Sequence, residues 1–433
     1  MYDLTVIGAG WAGFNACLKA RSRGLKTCII ERSHVGGTCL NSGCIPTKVL
    51  IQSAKIYSLV KKSATFGIEV NSEAATNFAK IQERKDRIIS QLRSGMQSRL
   101  LGIDCISAEA SFVSPTEIKA GEQLIQTKHS LIATGSRSIE ISALKFDGSK
   151  IVSSDDILKA KELPKSILIV GGGVIGCEFA GLFSGLGTQV TIVEKLPQIL
   201  PGIDLEVVRK IGVVFKKIGI KVITGGDVST QDLSGFDKVL VCVGRSSYSQ
   251  GLGLENIGVV LERGNIAVDK YLRTTVGNIY AAGDCTGGIM LAHYAAYQGI
   301  LAAENIAAGD SLRECSPSAV PSCIFTNPEI ASVGINEDEA NGRNLDVEVS
   351  KFDFLGSGMA RILDEAEGFI KVIWDKKTQR ILGGSIIGPR ATELIAIIGL
   401  AVSSGLTVNN IRDTIFAHPT LSESIHDALD RDS

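Results

Sequence analysis

The run Tyr2-Asp3-Leu4-Thr5-Val6-Ile7-Gly8-Ala9-Gly10-Trp11-Ala12-Gly13 reads as an apolar strand that breaks into a G-x-G-x-x-G turn. A helical segment then runs to Arg23, and a second strand, Lys26-Thr27-Cys28-Ile29-Ile30, ends on Glu31. In that order the glycines let the backbone turn tightly and approach a pyrophosphate, which lies at the helix N-terminus. A carboxylate at the end of the second strand can accept hydrogen bonds from ribose hydroxyls. Gly8, Gly10, Gly13 and Glu31 are therefore expected to hold a dinucleotide.

The arrangement recurs in mid-chain. Strand Ser166 to Val170 leads into Gly171-Gly172-Gly173-Val174-Ile175-Gly176, a helix comes next, and strand Gln189 to Val193 ends on Glu194. Gly8 to Glu31 spans 23 positions, and so does Gly171 to Glu194. One such hexapeptide is a weak signal; two with matched strand, helix and acid point to two nucleotide-binding units. Gly171, Gly173, Val174, Ile175 and Gly176 are assigned to the second nucleotide. Glu194 would repel a 2′-phosphate, so NAD is expected over NADP. Lys195 is the only cation nearby, and no Arg clamp is evident. Three further apolar strands close on glycine turns: one before Thr134-Gly135-Ser136, one before Gly244-Arg245 and one before Gly283-Asp284. Asp284 stands at the carboxyl end of its strand, where ligands collect in open α/β sheets.

A chain of 433 residues is too long for one core and suggests two to four domains. With 45 basic and 46 acidic residues, it shows no basic field for nucleic acid or anionic lipid. The stretch Leu394 to Leu406 is too short and interrupted to span a bilayer, so no membrane contact is expected. The chain opens directly in a strand, which leaves no room for a signal peptide; a cytoplasmic protein is the expectation. No metal site is assigned.

Ten cysteines are present. Cys17, Cys28, Cys177 and Cys242 lie in apolar runs, where a free thiol packs as a small hydrophobe. Cys39 and Cys44 differ, because they sit in Gly36-Gly37-Thr38-Cys39-Leu40-Asn41-Ser42-Gly43-Cys44-Ile45-Pro46-Thr47-Lys48. Two thiols separated by four residues can close a small disulfide ring, and a thiolate beside a cation exchanges with other disulfides. The loop comes after the first phosphate turn, so the pair is expected beside a tightly held redox dinucleotide, for which FAD fits. Near the C-terminus, His418-Pro419-Thr420-Leu421-Ser422-Glu423 places a base five residues before a carboxylate that can fix its tautomer. His34, His129 and His426 are read as surface or packing residues.

Together these runs resemble the flavin-dependent pyridine nucleotide–disulfide oxidoreductases, and within them the dihydrolipoamide dehydrogenases. The likeness extends nearly end to end and includes Ala281 to Asp284 and Met290-Leu291-Ala292-His293. It implies an α/β fold of two Rossmann-like dinucleotide-binding domains, one interrupted by the other, plus a C-terminal α+β dimerisation domain. The expected division is 1–143 with 267–312 for FAD, 144–266 for NAD and 313–433 for the interface. The resemblance makes Cys44 the sulfur beside the flavin and Cys39 the interchange thiol that meets substrate. Lys48 would approach the flavin and pair with Glu178. It adds Thr38, Lys48, Thr134, Gly135, Ser136, Asp284 and the run Met290, Leu291, Ala292 and His293 to the FAD site, and Val228 and Gly244 to the NAD site.

The C-terminal segment would cross a dimer two-fold, so His418 and Glu423 would serve the partner's cysteines. The activity implied is NAD-linked oxidation of protein-bound dihydrolipoyl groups. The partners implied are a second copy of the chain and the lipoyl domain and acyltransferase core of a 2-oxo acid dehydrogenase complex, or a glycine-cleavage lipoyl protein. Alternatives are another NAD(P)H-dependent disulfide reductase of the family, or a docking subunit of such a complex. No cysteine occurs after Cys323, against mercuric reductase, and Glu194 opposes an NADPH-linked glutathione-type enzyme. Departures from the family pattern are a short segment between Val222 and Val239, Trp11 beside the pyrophosphate turn, and Phe416 where many relatives carry a second His.

Overall fold

The computed structural model describes residues 1–70, 74–309, 311–316 and 319–430. Three larger sheets organise them. In the first, Asp104–Ser107, Thr27–Glu31, Tyr2–Ile7, Gln123–Ile132 and Ile279–Ala281 run parallel in that order. The early part of Gln123–Ile132 turns to antiparallel pairing with Glu117–Ala120, and that strand pairs with Ala110–Ser114. Parallel strands are covered on both faces, which is why they read as continuous apolar runs; Leu4, Val6, Leu131, Ile132 and Ile279 are fully buried.

Helix α1 (Trp11–Ser22) begins where the first glycine turn ends. It packs on the helix Ala292–Ala308 through small residues, Ala12, Ala16 and Ala20 against Ala295, Ala302 and Ala303, all buried. The approach is so close that a Cβ on Gly299 would stand 2.1 Å from Ala12 O. This contact brings the Gly283-Asp284 turn and the Met290–His293 run up to the first phosphate turn.

The second sheet is wholly parallel, in the order Lys221–Thr224, Gln189–Glu194, Ser166–Val170, Lys238–Val241, Ile151–Val152. Ser166–Val170 and Gln189–Glu194 fall where the sequence predicts strands. Between Thr224 and Lys238 the connection holds one 3₁₀ turn, Val228–Thr230, so the short segment seen in the sequence is a trimmed loop. The third sheet is antiparallel: Ser322–Ile324, Glu329–Gly334, Ile381–Gly388, Phe369–Asp375, Val347–Asp353. The apolar stretch beginning near Leu394 forms the helix Ala391–Ser404, which buries Leu394, Ile395 and Ile398 in the core of that region.

The third sheet is tied to the second unit by charge. Lys371 is buried and its Nζ lies 3.0 Å from Asp204 Oδ2, 3.1 Å from Glu206 Oε2 and 3.1 Å from Glu337 Oε2. A buried cation needs such partners to offset its desolvation. Among the described residues no helix is long and apolar enough to cross a membrane.

Candidate active site

Helix α2 (Gly37–Ser42) carries Cys39, and α3 (Cys44–Lys61) starts on Cys44. Gly36 and Gly37 have φ of 99° and 56°, a left-handed conformation that suits glycine. The turn they make folds the cysteine loop back on the first phosphate turn, with Gly36 N donating to Ala9 O at 2.8 Å. Pro46 falls in the first turn of α3, where an absent N–H leaves no intrahelical bond unmade. Thr47 Oγ1 donates to Gly43 O at 2.6 Å and fastens that end. Cys44 thus stands at the N-terminus of an 18-residue helix, a place that favours a thiolate.

The two thiols are unlike each other. The Cys39 thiol is pushed up, first by its hydrogen bond with Cys44 and then by burial. The Cys44 thiol is drawn down to about 7, first by the hydrogen bond from Cys39 and, among the remaining favourable influences, chiefly by the Lys48 ammonium. Cys44 is therefore the more acidic sulfur of the reduced pair, and Cys39 the donor in the hydrogen bond between them. Lys48 is one turn along α3 from Cys44. Its Nζ donates to both oxygens of Glu178, at 2.9 and 2.8 Å, across the boundary with the second unit. Glu178 is buried and its Oε1 also accepts Phe325 N at 3.0 Å, while Lys48 Nζ lies 4.6 Å from the centre of the Phe325 ring. Three regions of the fold converge on this one ion pair.

A cavity of about 1250 Å³ opens over the cysteines. Of the residues expected at the cofactors, Gly8, Gly10, Glu31, Thr38, Thr134, Gly135, Ser136, Asp284 and the Met290–His293 run all line it, as do Cys39, Cys44, Lys48 and Glu178. Glu31 Oε2 accepts Ala9 N at 2.7 Å and Oε1 accepts Ser33 N at 2.8 Å, which places the carboxylate at the end of its strand. Ser136 Oγ donates to Asp284 Oδ2 at 2.6 Å. From the second unit, Val174, Ile175 and Glu178 reach the same cavity. Gly171, Gly173, Gly176, Glu194, Val228 and Gly244 do not line it, and neither does Gly13, which packs beneath the turn.

His418 lies elsewhere. Its side chain is 82% exposed, and Nδ1 is 2.9 Å from Glu423 Oε1. Glu423 Oε2 accepts Thr420 N at 2.8 Å; that bond, and then His418, hold the carboxyl below its usual range. An ionised carboxylate accepts only, so Nδ1 carries the proton and Nε2 presents a lone pair. His418 and Glu423 are absent from the lining of this chain's cysteine cavity.

Sequence reasoning assigned no role to Arg245, Phe325 or Cys323, all of which line the cavity. Arg245 Nε donates to Ser136 Oγ at 2.8 Å, continuing the chain to Asp284. Its place directly after the Gly244 turn was the available signal. Phe325 and Cys323 arrive from the third sheet with no local motif.

The comparisons with known proteins identify the family. Residues 2–299 match the family described as pyridine nucleotide-disulphide oxidoreductase, and residues 320–429 match that family's dimerisation domain. The chain belongs to the pyridine nucleotide-disulphide oxidoreductases. It is 38% identical to a dihydrolipoyl dehydrogenase of Bacillus subtilis, over 99% of this chain and 97% of that one. Identity to a dihydrolipoyl dehydrogenase of Chlamydia pneumoniae is 40%, covering 98% and 95%. Among solved structures it is similar to the HOCl-induced flavoprotein disulfide reductase RclA from Escherichia coli, with a TM-score of 0.88, 30% identity and 99% of both chains covered. LpdA from Mycobacterium tuberculosis superposes with a TM-score of 0.91 at 27% identity over 98% of each chain.

This protein is thus an oxidoreductase of the two-dinucleotide α/β fold, with FAD and NAD(H) as the cofactors of its family, and its dimerisation domain makes it a homodimer. The residues present fit a dinucleotide at the first turn. A Cβ on Gly8 would meet Ala133 O at 2.4 Å and one on Gly13 would meet Gly8 O at 1.9 Å, so the close backbone approach depends on these glycines.

Proposed function

We propose that the protein is an NAD-linked dihydrolipoyl dehydrogenase. The observation that carries the reading is the pair of unlike sulfurs at Cys39 and Cys44, set beside the Lys48–Glu178 ion pair in a cavity that both dinucleotide units share. The near full-length likeness to dihydrolipoyl dehydrogenases supports the substrate class.

In this reading FAD, when bound, carries two electrons between the Cys39–Cys44 couple and the nicotinamide. Gly8, Gly10, Glu31, Thr38, Thr134, Gly135, Ser136, Asp284 and Met290 to His293 would hold it; Gly171 to Gly176, Glu194, Val228 and Gly244 would hold NAD. His418 Nε2 takes the proton of a substrate thiol, while Glu423 keeps Nδ1 protonated. The substrate thiolate attacks Cys39 Sγ, the Cys39–Cys44 bond breaks, and its electron pair goes to Cys44. Lys48 and the start of α3 stabilise that leaving thiolate. The second substrate thiol gives up its proton to solvent and displaces Cys39, which leaves with the electron pair of the mixed disulfide and takes the proton held on His418.

Because His418 lies away from its own cysteines, the base for each site would come from the partner subunit. The domain division 1–143 with 267–312, 144–266 and 313–433 accompanies this reading. So do a cytoplasmic location and service to the lipoyl domain of a 2-oxo acid dehydrogenase complex or a glycine-cleavage lipoyl protein.

The test is steady-state turnover of dihydrolipoamide with NAD and NADP side by side, and of NADH with lipoamide and glutathione disulfide. NAD-dependent turnover of lipoamide alone is expected. Preference for glutathione disulfide or for NADP would replace the reading with another disulfide reductase.

A further inference from the structure

We propose that the Trp11 indole N–H is a hydrogen-bond donor to the Cys39 sulfur, which makes Trp11 a positioning residue for the thiolate that meets substrate. The inference rests on the assignment of Cys39 as the interchange thiol.

Trp11 opens α1 and Cys39 is the third residue of α2. Glycine presses these two helix starts together: a Cβ on Gly37 would stand 2.7 Å from Gly10 Cα, and Gly36 N donates to Ala9 O at 2.8 Å. The side chains that leave at Trp11 and Cys39 both line the large cavity. Yet the indole Nε1 is closed off by protein atoms, and among the described residues no acceptor satisfies it. An unpaired buried N–H is rare and calls for a reason.

The polar group that shares this wall of the cavity with the indole, and whose ionisation the indole N–H favours, is Cys39. Cys44 and burial push the Cys39 thiol up, and Trp11 and then Lys48 pull it down. A neutral thiol is a weak acceptor and an anionic sulfur a stronger one, so the donor stays unsatisfied until charge reaches Cys39. That moment comes in the second exchange. The substrate's second thiol loses its proton to solvent and attacks its own bonded sulfur, the Cys39–substrate bond breaks, and the electron pair passes to Cys39. The indole N–H then meets the new charge until the His418 of the second copy returns its proton. The charged groups facing this sulfur are Cys44 and Lys48 from α3, with Glu178 behind Lys48.

The experiment uses the flavin-loaded dimer reduced by two electrons. The rate of Cys39 alkylation by iodoacetamide is tracked against pH by peptide mass spectrometry. Trp11→Phe keeps a ring and removes the N–H. Its midpoint is expected to rise by roughly one pH unit, with alkylation below the midpoint slowed about tenfold. Trp11→His restores a ring N–H and should recover part of the shift. An unchanged midpoint in a Trp11→Phe enzyme with a normal flavin spectrum overturns the proposal.

Should Trp11→Phe fail to hold flavin, Trp374→Phe leaves Trp11 as the sole remaining one of two tryptophans. Its fluorescence should titrate with the Cys39 midpoint and cease to do so once Cys39→Ser is added. A signal indifferent to pH overturns the proposal equally. Failure of the underlying assignment is separately visible, because a Cys39→Ser enzyme that still turns over dihydrolipoamide refutes it whatever Trp11 does.

Discussion

The two phosphate turns are close copies in backbone and differ in the segments joined to them. Gly8 and Gly171 have φ of 101° and 106°, and a Cβ on either would meet a carbonyl oxygen of the neighbouring strand's exit, at 2.4 Å from Ala133 and 2.5 Å from Cys242. Gly13 and Gly176 would strike the turn beneath them at 1.9 and 2.0 Å. Glu31 and Glu194 each accept two backbone N–H groups, one from the turn and one from just beyond the strand. The divergence starts after the acid. In the first unit the chain lays Gly36 and Gly37 on Ala9 and Gly10 and continues into the cysteines. In the second it returns Ile199 and Leu200 onto Gly172, with Leu200 N donating to Gly172 O at 2.8 Å. On the proposed assignment the repeated unit sets where a dinucleotide lies, and the segment appended to it sets the chemistry.

The sharpest way to break that contrast is to remove the appended chemistry alone. Cys44→Ser should cut dihydrolipoamide turnover by at least ~10³-fold, as expected when the group that accepts the electron pair is lost. Bound flavin and NAD affinity should be unchanged, since Cys44 belongs to neither turn. The long-wavelength absorbance of the reduced enzyme should disappear; its persistence would exchange the roles of the two sulfurs.

The next effect separates the copies. Gly13→Ala and Gly176→Ala introduce the same overlap, which only a shift of the adjoining helix relieves, at a cost of about 1–3 kcal/mol or more. Gly13→Ala should purify depleted of flavin, seen as lost visible absorbance. Gly176→Ala should keep flavin and raise KM for NAD by roughly tenfold to a hundredfold, in line with that cost. Flavin loss from both variants would contradict the assignment of one cofactor to each turn.

How much of this the sequence reveals depends on how local each signal is. The strands Tyr2–Ile7 and Ser166–Val170, the glycine turns and the acids at Glu31 and Glu194 are contiguous patterns and were legible in full. The contact of Lys48 with Glu178 spans 130 positions and was reached through the family resemblance, because neither residue stands out in its own segment. Arg245 beneath Ser136 and Phe325 over Lys48 arise only when distant segments pack, so no periodicity announces them. Trp11 was visible as an unusual residue, but its place beside Cys39 in one cavity depends on Gly10 and Gly37 meeting across the loop.

A smaller effect tests the second unit's acid. Glu194 is buried, and Gly172 N and Leu196 N occupy its oxygens at 2.6 and 2.7 Å. Glu194→Gln keeps the shape, removes the charge and replaces one acceptor by a donor. The ratio of kcat/KM for NAD over NADP should fall by about tenfold, the scale of one lost charge contact. A ratio that does not move would show that discrimination lies outside this residue.

The gentlest prediction concerns pH and returns to the first unit. The Cys44 thiol is lowered to about 7, below the ordinary value near 8.5 that the unfolded chain would show. A depressed pKa adds stability that is present in full above the unfolded value and is lost as pH falls through the folded one. The reduced, flavin-loaded enzyme should therefore gain melting temperature between about pH 6 and pH 8.5, and the oxidised enzyme, with both sulfurs bonded, should lack that slope. Lys48 contributes to the lowering and Glu178 opposes it. Lys48→Met leaves the buried Glu178 charge uncompensated next to the thiolate, so the slope should move to higher pH. Lys48→Met with Glu178→Gln removes both charges and should return the midpoint part of the way, because the hydrogen bond from Cys39, the largest influence, remains. If the double variant titrates with the single one, the ion pair acts on Cys44 through the shape of α3 rather than through charge.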